Sequence, residues 1–160
     1  RSGHALYSAP IGILPHAESI VSSLEKIYRS KGVLCEFEID PKSQFSGELG
    51  DLQELLGNFL ENAFKWARQR VLLTVRPLYE PAAKRPGLFL CIEDDGTGIA
   101  PEDISKILQR GVRGDERVQG HGIGMAIVQD IIQSYGGELE VDRSDELGGA
   151  RFTITLPCLS

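Results

Sequence analysis

Asn58 and Asn62 stand four residues apart in Gly50–Arg68, a segment whose apolar residues recur at helical spacing. At about 100° per residue, Glu54, Asn58, Asn62 and Lys65 share one face of such a helix, and Leu52, Leu56, Phe59, Leu60, Ala63 and Ala67 turn the other way, into a core. A polar helix face is by default a solvated one. Solvated faces favour Glu and Lys, however, and paired asparagines cost helix propensity that something must offset. Amide oxygens are hard ligands of the kind magnesium accepts while it keeps waters and shares phosphate oxygens. Lys65, one turn on, can meet a phosphate as a point charge.

Two further stretches have chemistry. Glu93-Asp94-Asp95-Gly96-Thr97-Gly98-Ile99 follows an apolar strand-like run. Glycines spaced by one residue allow a left-handed or close-approach backbone, and the acid before them can accept a hydrogen bond, for instance from an exocyclic amine. Taken alone, the stretch also fits an ordinary turn. Gly120-His121-Gly122-Ile123-Gly124-Met125 runs into a helical pattern. Glycines before a helix N-terminus expose N–H groups that, with the dipole, favour an anion. It is not a dinucleotide fingerprint, because the third glycine comes one residue early and a loop, not a strand, precedes it. Taken alone, it also fits a hinge.

The elements that position these residues follow from pattern. Ile11–Arg29 is read as an amphipathic helix stopped by Lys31-Gly32, and Val33–Ile39 as a half-buried strand. Asp40-Pro41 turns the chain and Gln44–Ser46 makes a short strand. Gly50–Arg68 is a helix with Asp51 as N-cap and Glu54 at capping-box spacing. Arg70–Leu78 and Gly87–Glu93 are strands separated by a loop over Glu80–Pro86. Pro101–Leu108 opens with proline and two acids, a good first helical turn. Residues 109–121, rich in glycine and arginine, read as a mobile loop. Gly122–Tyr135 is a helix stopped by Gly136-Gly137, and Glu138–Arg143 and Ala150–Leu156 are alternating strands. The sum is an α/β layered domain with helices on one face of a mixed or antiparallel sheet.

Composition sets the bounds. The chain has 160 residues, an ordinary single-domain length, and a net charge of −6, which argues against a nucleic-acid or anionic-membrane partner. A local cluster of Arg110, Arg113 and Arg117 can still bind an anion. Cys35, Cys91 and Cys158 have no metal or redox spacing and read as reduced thiols, Cys158 the more exposed. No run of about 18 apolar residues occurs. The chain begins at Arg1, not Met, and is read as a piece of something longer.

The order Asn58-x-x-x-Asn62-Ala63-x-Lys65, then Asp94-x-Gly96-x-Gly98-Ile99, then Gly120-x-Gly122-x-Gly124 before a helix resembles the N-box, G1-box and G2-box series of the histidine kinase catalytic domain. That domain belongs to a superfamily shared with DNA gyrase, Hsp90 and MutL. The resemblance runs from about residue 8 to the end. Tyr28-Arg29-x-Lys31-Gly32-Val33, Gly57-Asn58-x-Leu60-x-Asn62-Ala63-x-Lys65 and Arg110-Gly111-x-Arg113 look most like PhoQ-type sensors.

The resemblance implies one catalytic ATP-binding domain over residues 1–160, with 1–8 an edge strand or a remnant outside it and 109–121 an ATP lid. It implies a two-layer α/β sandwich with a five-stranded mixed sheet and three main helices on one face. By residue, Asp94 accepts from the adenine amino group, and Gly96, Gly98 and Ile99 let the backbone approach the base. Asn62 ligates magnesium with Asn58 assisting. Lys65 contacts phosphate, and Trp66 stands where the family has Tyr or Phe beside the nucleotide. Gly120, His121, Gly122, Ile123 and Gly124 lie by the phosphates, and Arg113 reaches the γ-phosphate. His121 replaces the glutamine of the PhoQ-type pattern. Val118 replaces its second lid arginine, with Arg117 beside it. Ile107-Leu108 stand where phenylalanines are usual.

Asn58 also replaces the glutamate with which hydrolysing relatives activate water, which implies slow ATP turnover. None of His4, His16 or His121 has a His-Glu-x-x-x-Pro-like helical context, so the phosphoacceptor lies on an absent dimerisation domain. The further partner is a response regulator, with the isolated domain monomeric and the full-length protein a homodimer anchored in the bacterial inner membrane. A superfamily serine kinase, a nucleotide-binding module without kinase activity and a non-catalytic interaction domain are the alternatives.

Overall fold

The computed structural model describes residues 9–108 and 125–160. Among them, β1 (Ile11–Gly12) and β3 (Gln44–Phe45) form a small antiparallel ladder. The main sheet has five strands: β2 (Leu34–Ile39), β4 (Arg70–Leu78), β5 (Gly87–Asp94), β6 (Glu138–Arg143) and β7 (Ala150–Leu156). Their spatial order is β2-β4-β5-β7-β6. Only β2 and β4 run parallel; the other neighbours are antiparallel, so the sheet is mixed. Four helices pack on it: α1 (Leu14–Ile27), α2 (Leu49–Trp66), α3 (Pro101–Leu108) and α4 (Met125–Ser134).

The core lies between these layers. Strand alternation turns Val71, Leu73 and Val75 of β4, Leu88, Leu90 and Ile92 of β5, and Phe152, Ile154 and Leu156 of β7 to one side, where all are buried. They meet Ala17, Val21 and Leu24 of α1, Leu52, Leu56, Phe59, Leu60 and Ala63 of α2, Ile107 of α3, and Val128 and Ile132 of α4. Both outer strands carry acids on exposed positions, Glu36 and Glu38 on β2 and Glu138, Glu140 and Asp142 on β6. Charge of this kind blunts edge-to-edge pairing.

Several boundaries differ from expectation. The first helix begins at Leu14, because Ile11 and Gly12 pair with Phe45 and Gln44, a contact across the chain that local periodicity does not report. Pro15 then falls in the first turn, where its missing N–H leaves no intrahelical bond unmade. The helix ends at Ile27 and tightens into a 3-10 turn over Arg29–Lys31, closed by Gly32 at φ 69°. In α2 the N-cap is Glu48, which makes no side-chain cap, and the Asp51–Glu54 capping box does not form. Asp51 is instead buried and accepts the Tyr135 hydroxyl at 2.5 Å, while the Glu48 amide donates to that same oxygen at 3.2 Å. Glu54 takes the Asn58 Nδ2 on its carboxylate at 2.9 Å and on its carbonyl at 2.8 Å.

Candidate nucleotide-binding site

The polar face of α2 is not a uniformly solvated stripe. Glu54 and Lys65 are exposed, Asn58 is half-buried and Asn62 is 9% exposed. An amide at that depth is no default surface residue, and this sets Asn62 apart from its neighbours. Asn58 uses its Nδ2 on Glu54, which leaves its Oδ1 as the outward acceptor.

The helix stops at Trp66, earlier than Arg68, and Ala67 is already extended at ψ 150°. The cause lies in two side chains distant in sequence. Lys31 Nζ donates to the carbonyls of Phe64 at 3.1 Å and Lys65 at 2.8 Å, capping the negative end of the dipole. The Asp95 carboxylate accepts from the amides of Arg68 at 2.7 Å and Gln69 at 3.1 Å, turning the chain into β4. Burial pushes the Asp95 carboxyl up, but backbone amides, Arg70, Gln69 and Arg68 among them, outweigh it and hold it below its ordinary range.

Asp94 ends β5 and is 3% exposed. Its Oδ1 accepts from Gly96 N at 2.8 Å and Ala150 N at 3.3 Å, and among the described residues these are the hydrogen bonds of its carboxylate. Oδ2 is left as the acceptor for a ligand donor. Burial raises the Asp94 carboxyl above its ordinary value, and the neighbouring Asp95 charge adds to this, while the two amides and Lys31 pull it down.

The glycines around it do two separate things. A Cβ on Gly96 would stand 2.2 Å from the Trp66 carbonyl oxygen, so the loop after β5 lies flat on the end of α2. Gly98 has room for a side chain but sits at φ 81°, the left-handed region that favours glycine. A Cβ on Gly149 would stand 2.2 Å from Asp94 Oδ1. Ile99 packs half-buried on the core edge, and Trp66 is half-buried at the helix end.

The structure therefore brings Asn62, Lys65 and Trp66 of α2 to the same end of the fold as Asp94, Gly96, Gly98 and Ile99. Arg113, Gly120, His121, Gly122, Ile123 and Gly124 lie outside the described residues, as do Arg110, Arg117 and Val118. Sequence reasoning missed Lys31, Asp95, Gly149 and Ala150 as builders of the site. Lys31 was visible as a helix stop and within the Tyr28-Arg29-x-Lys31-Gly32-Val33 motif, with no role at the site, and Asp95 only as part of an acid run; the Gly148-Gly149 doublet was the one signal for the turn.

No three His, Cys, Asp or Glu side chains come together as a metal cluster among the described residues. The donor set present is amide oxygen, from Asn62 with Asn58 beside it. That set fits magnesium held jointly with nucleotide phosphates, since the ion takes few protein ligands and keeps waters. The three thiols are free, Cys158 donating to the Leu78 carbonyl at 3.1 Å. Burial pushes Cys35 up to about 12 and Cys91 to about 11.

The family model described as histidine kinase-, DNA gyrase B-, and HSP90-like ATPase matches residues 47–160. The chain belongs to this ATPase family. The two-component sensor PhoQ of Pseudomonas aeruginosa is 42% identical over 144 residues, covering 89% of this chain and 30% of that protein. The sensor protein PhoQ of Escherichia coli is 34% identical over 154 residues, covering 96% and 30%. The chain thus spans about a third of the length of the curated relatives it matches. Among solved structures, the mycobacterial sensor histidine kinase MprB superimposes with a TM-score of 0.70 at 26% identity, over 94% of this chain and 97% of that one. Full-length ShkA, solved with AMPPNP, gives 0.73 at 26% identity, over 95% of this chain and 31% of that one. The α/β sandwich with a five-stranded mixed sheet and helices on one face is the fold of these histidine kinase-like ATPase domains, four helices standing among the described residues. No described helix is long and apolar enough to cross a membrane.

Proposed function

We propose that this ATPase-family domain binds magnesium-ATP and transfers the γ-phosphoryl group to a histidine on a separate dimerisation domain, for relay to a response regulator. The observation that carries the reading is Asp94, a buried carboxylate with one oxygen saturated by backbone amides and the other left for a donor. In this reading its partner is the adenine amino group. Asn62, with Asn58, holds the magnesium, whose chemistry is to neutralise and orient the phosphates. Lys65 adds a cationic contact; the family resemblance assigns Arg113, in the 109–121 segment, to the γ-phosphate, and Gly120, His121, Gly122, Ile123 and Gly124 to the neighbourhood of the phosphates. Phosphoryl transfer asks mainly for positioning and charge neutralisation, which these groups supply.

The relatives support this reading, being sensor kinases by name, and ShkA was solved with an ATP analogue. Asn58 lacks a basic site to activate water, so the domain hydrolyses ATP slowly. The whole of 1–160 acts as one domain, monomeric alone and homodimeric in a longer protein anchored in the inner membrane. Two experiments test the proposal. Mg-ATP should raise the melting temperature of the wild type by mass action and leave that of Asp94→Asn unmoved. A helical-hairpin fragment carrying the acceptor histidine should gain label from γ-labelled ATP only when this domain is added; an unlabelled hairpin beside a domain that binds ATP refutes the kinase reading.

A further inference from the structure

Glu93 is a buried acid on the wrong side of the sheet. Alternation places it opposite Asp94, on the face the helices do not cover, yet it is 6% exposed. Its cross-strand neighbours are Leu72 and Arg151. Arg151 would be the obvious counter-ion, but it is committed to Asp142, with Nε to Oδ1 at 2.8 Å and Nη2 to Oδ2 at 2.6 Å. Glu93 Oε1 instead accepts the hydroxyl of Ser144, itself 1% exposed, at 2.8 Å. The buried Glu93 thus bonds a hydroxyl at the mouth of the next turn, and that bond ties the end of β5 to the turn before β7.

Ser144 opens the turn between β6 and β7. Its Oγ also accepts the Leu147 amide at 2.9 Å, so the hydroxyl is used in both directions. Its own amide donates to the Gly149 carbonyl at 2.8 Å, and its carbonyl accepts from Gly148 N at 2.9 Å. The far end of this closed turn bears on the site acid. Gly149 N donates to the Asp94 carbonyl at 3.0 Å, Ala150 N donates to Asp94 Oδ1, and the Gly149 backbone leaves no room for a methyl beside that oxygen. Glu93 and Asp94 are adjacent in the chain, and the turn returns from one to the other, closing a loop of bonds around the end of β5.

We propose that Glu93, acting through Ser144, is a positioning residue that sets where Asp94 presents its free oxygen and so fixes preference for the base. The inference rests on the reading of Asp94 as the base-recognising acid. Stability alone would also follow from a Glu93–Ser144 bond, so the test must read base preference separately from folding.

The measurement is the dissociation constant of the magnesium complexes of ATP and of inosine triphosphate, which lacks the exocyclic amine, beside the melting temperature. The wild type prefers ATP. Ser144→Ala loses about tenfold of that preference, the worth of one misdirected hydrogen bond, while its inosine triphosphate affinity stays within about twofold. Glu93→Ala removes the acceptor of the hydroxyl and loses the preference as Ser144→Ala does, whereas Glu93→Gln, which keeps an oxygen there, retains it; a folded Glu93→Ala with the wild-type preference overturns the inference. Ser144→Cys retains the volume and a weak donor, falls between the two, and serves if the alanine variant does not fold. A folded Ser144→Ala that keeps its preference, or one in which both nucleotides weaken together, overturns the inference while leaving Asp94 in its role. A wild type indifferent to the base overturns that role and this inference together.

Discussion

Gly149→Ala tests the site where the chain closes on Asp94. The added methyl carbon would stand 2.2 Å from Asp94 Oδ1, 2.5 Å from the Asp94 carbonyl oxygen and 2.6 Å from Gly96 N. Favourable contact begins at about 3.5 Å, so the carboxylate must retreat by roughly 1 Å or the turn must lift by as much. Gly149 φ is not in the left-handed region, so the effect is steric and does not come from backbone strain. Either movement breaks the Ala150 amide bond and turns the free oxygen away from its ligand. A hydrogen bond to a charged group is worth about 1.5–3 kcal/mol, which corresponds to roughly 10–150-fold in affinity. Isothermal titration with Mg-ATP reads the loss, and circular dichroism confirms the fold. A folded Gly149→Ala that binds ATP within about threefold of wild type would refute the reasoning, because the nucleotide would then not depend on where Asp94 sits.

Further outcomes follow from other contacts. Asn62→Ala should abolish the magnesium dependence of ATP binding while leaving weak metal-free binding in place, measured by titration with and without chelator. Tyr135→Phe removes the hydroxyl shared by Asp51 and the Glu48 amide, and should cost about 1.5–3 kcal/mol by urea unfolding. Gly57→Ala, in mid-helix with nothing within 4 Å of the new methyl, should stabilise by about 0.5–1 kcal/mol and leave ATP affinity unchanged. The raised Asp94 carboxyl gives two readouts of opposite sign. As pH falls through its raised folded value, ATP affinity drops, because the acceptor is protonated. In the window between its unfolded and folded values stability rises as pH falls, because the native state takes up the proton more readily. The difference between wild type and Asp94→Asn isolates both; a difference that is flat with pH refutes the assignment.

What could be read from sequence was whatever repeats within a few residues. The strands over Arg70–Leu78, Glu138–Arg143 and Ala150–Leu156 matched to the residue, because alternation is local. Asn62 stood out because an asparagine mid-helix contradicts propensity, and its burial bears out that it is unusual. The start of α1 and the cap of α2 were misread for one reason. Ile11 is taken by Phe45 and Asp51 by Tyr135, partners 34 and 84 positions away, and a distant partner overrides a local signal. The same holds at the site. Asp94 stood out as a candidate from its local motif, but the amide of Ala150 that bonds its carboxylate lies 56 residues on, and Lys31 reaches across to Phe64 and Lys65.

That reach has a consequence for how the protein comes into being. The Asp94 pocket joins the end of β5 to the turn before β7 and to the end of α2, so no early fragment of the chain contains it. Contacts so separated in sequence carry a larger loop-closure cost than local ones. The pocket exists only once the last strand has docked. A ligand that binds this pocket would select fully assembled molecules over partly folded ones.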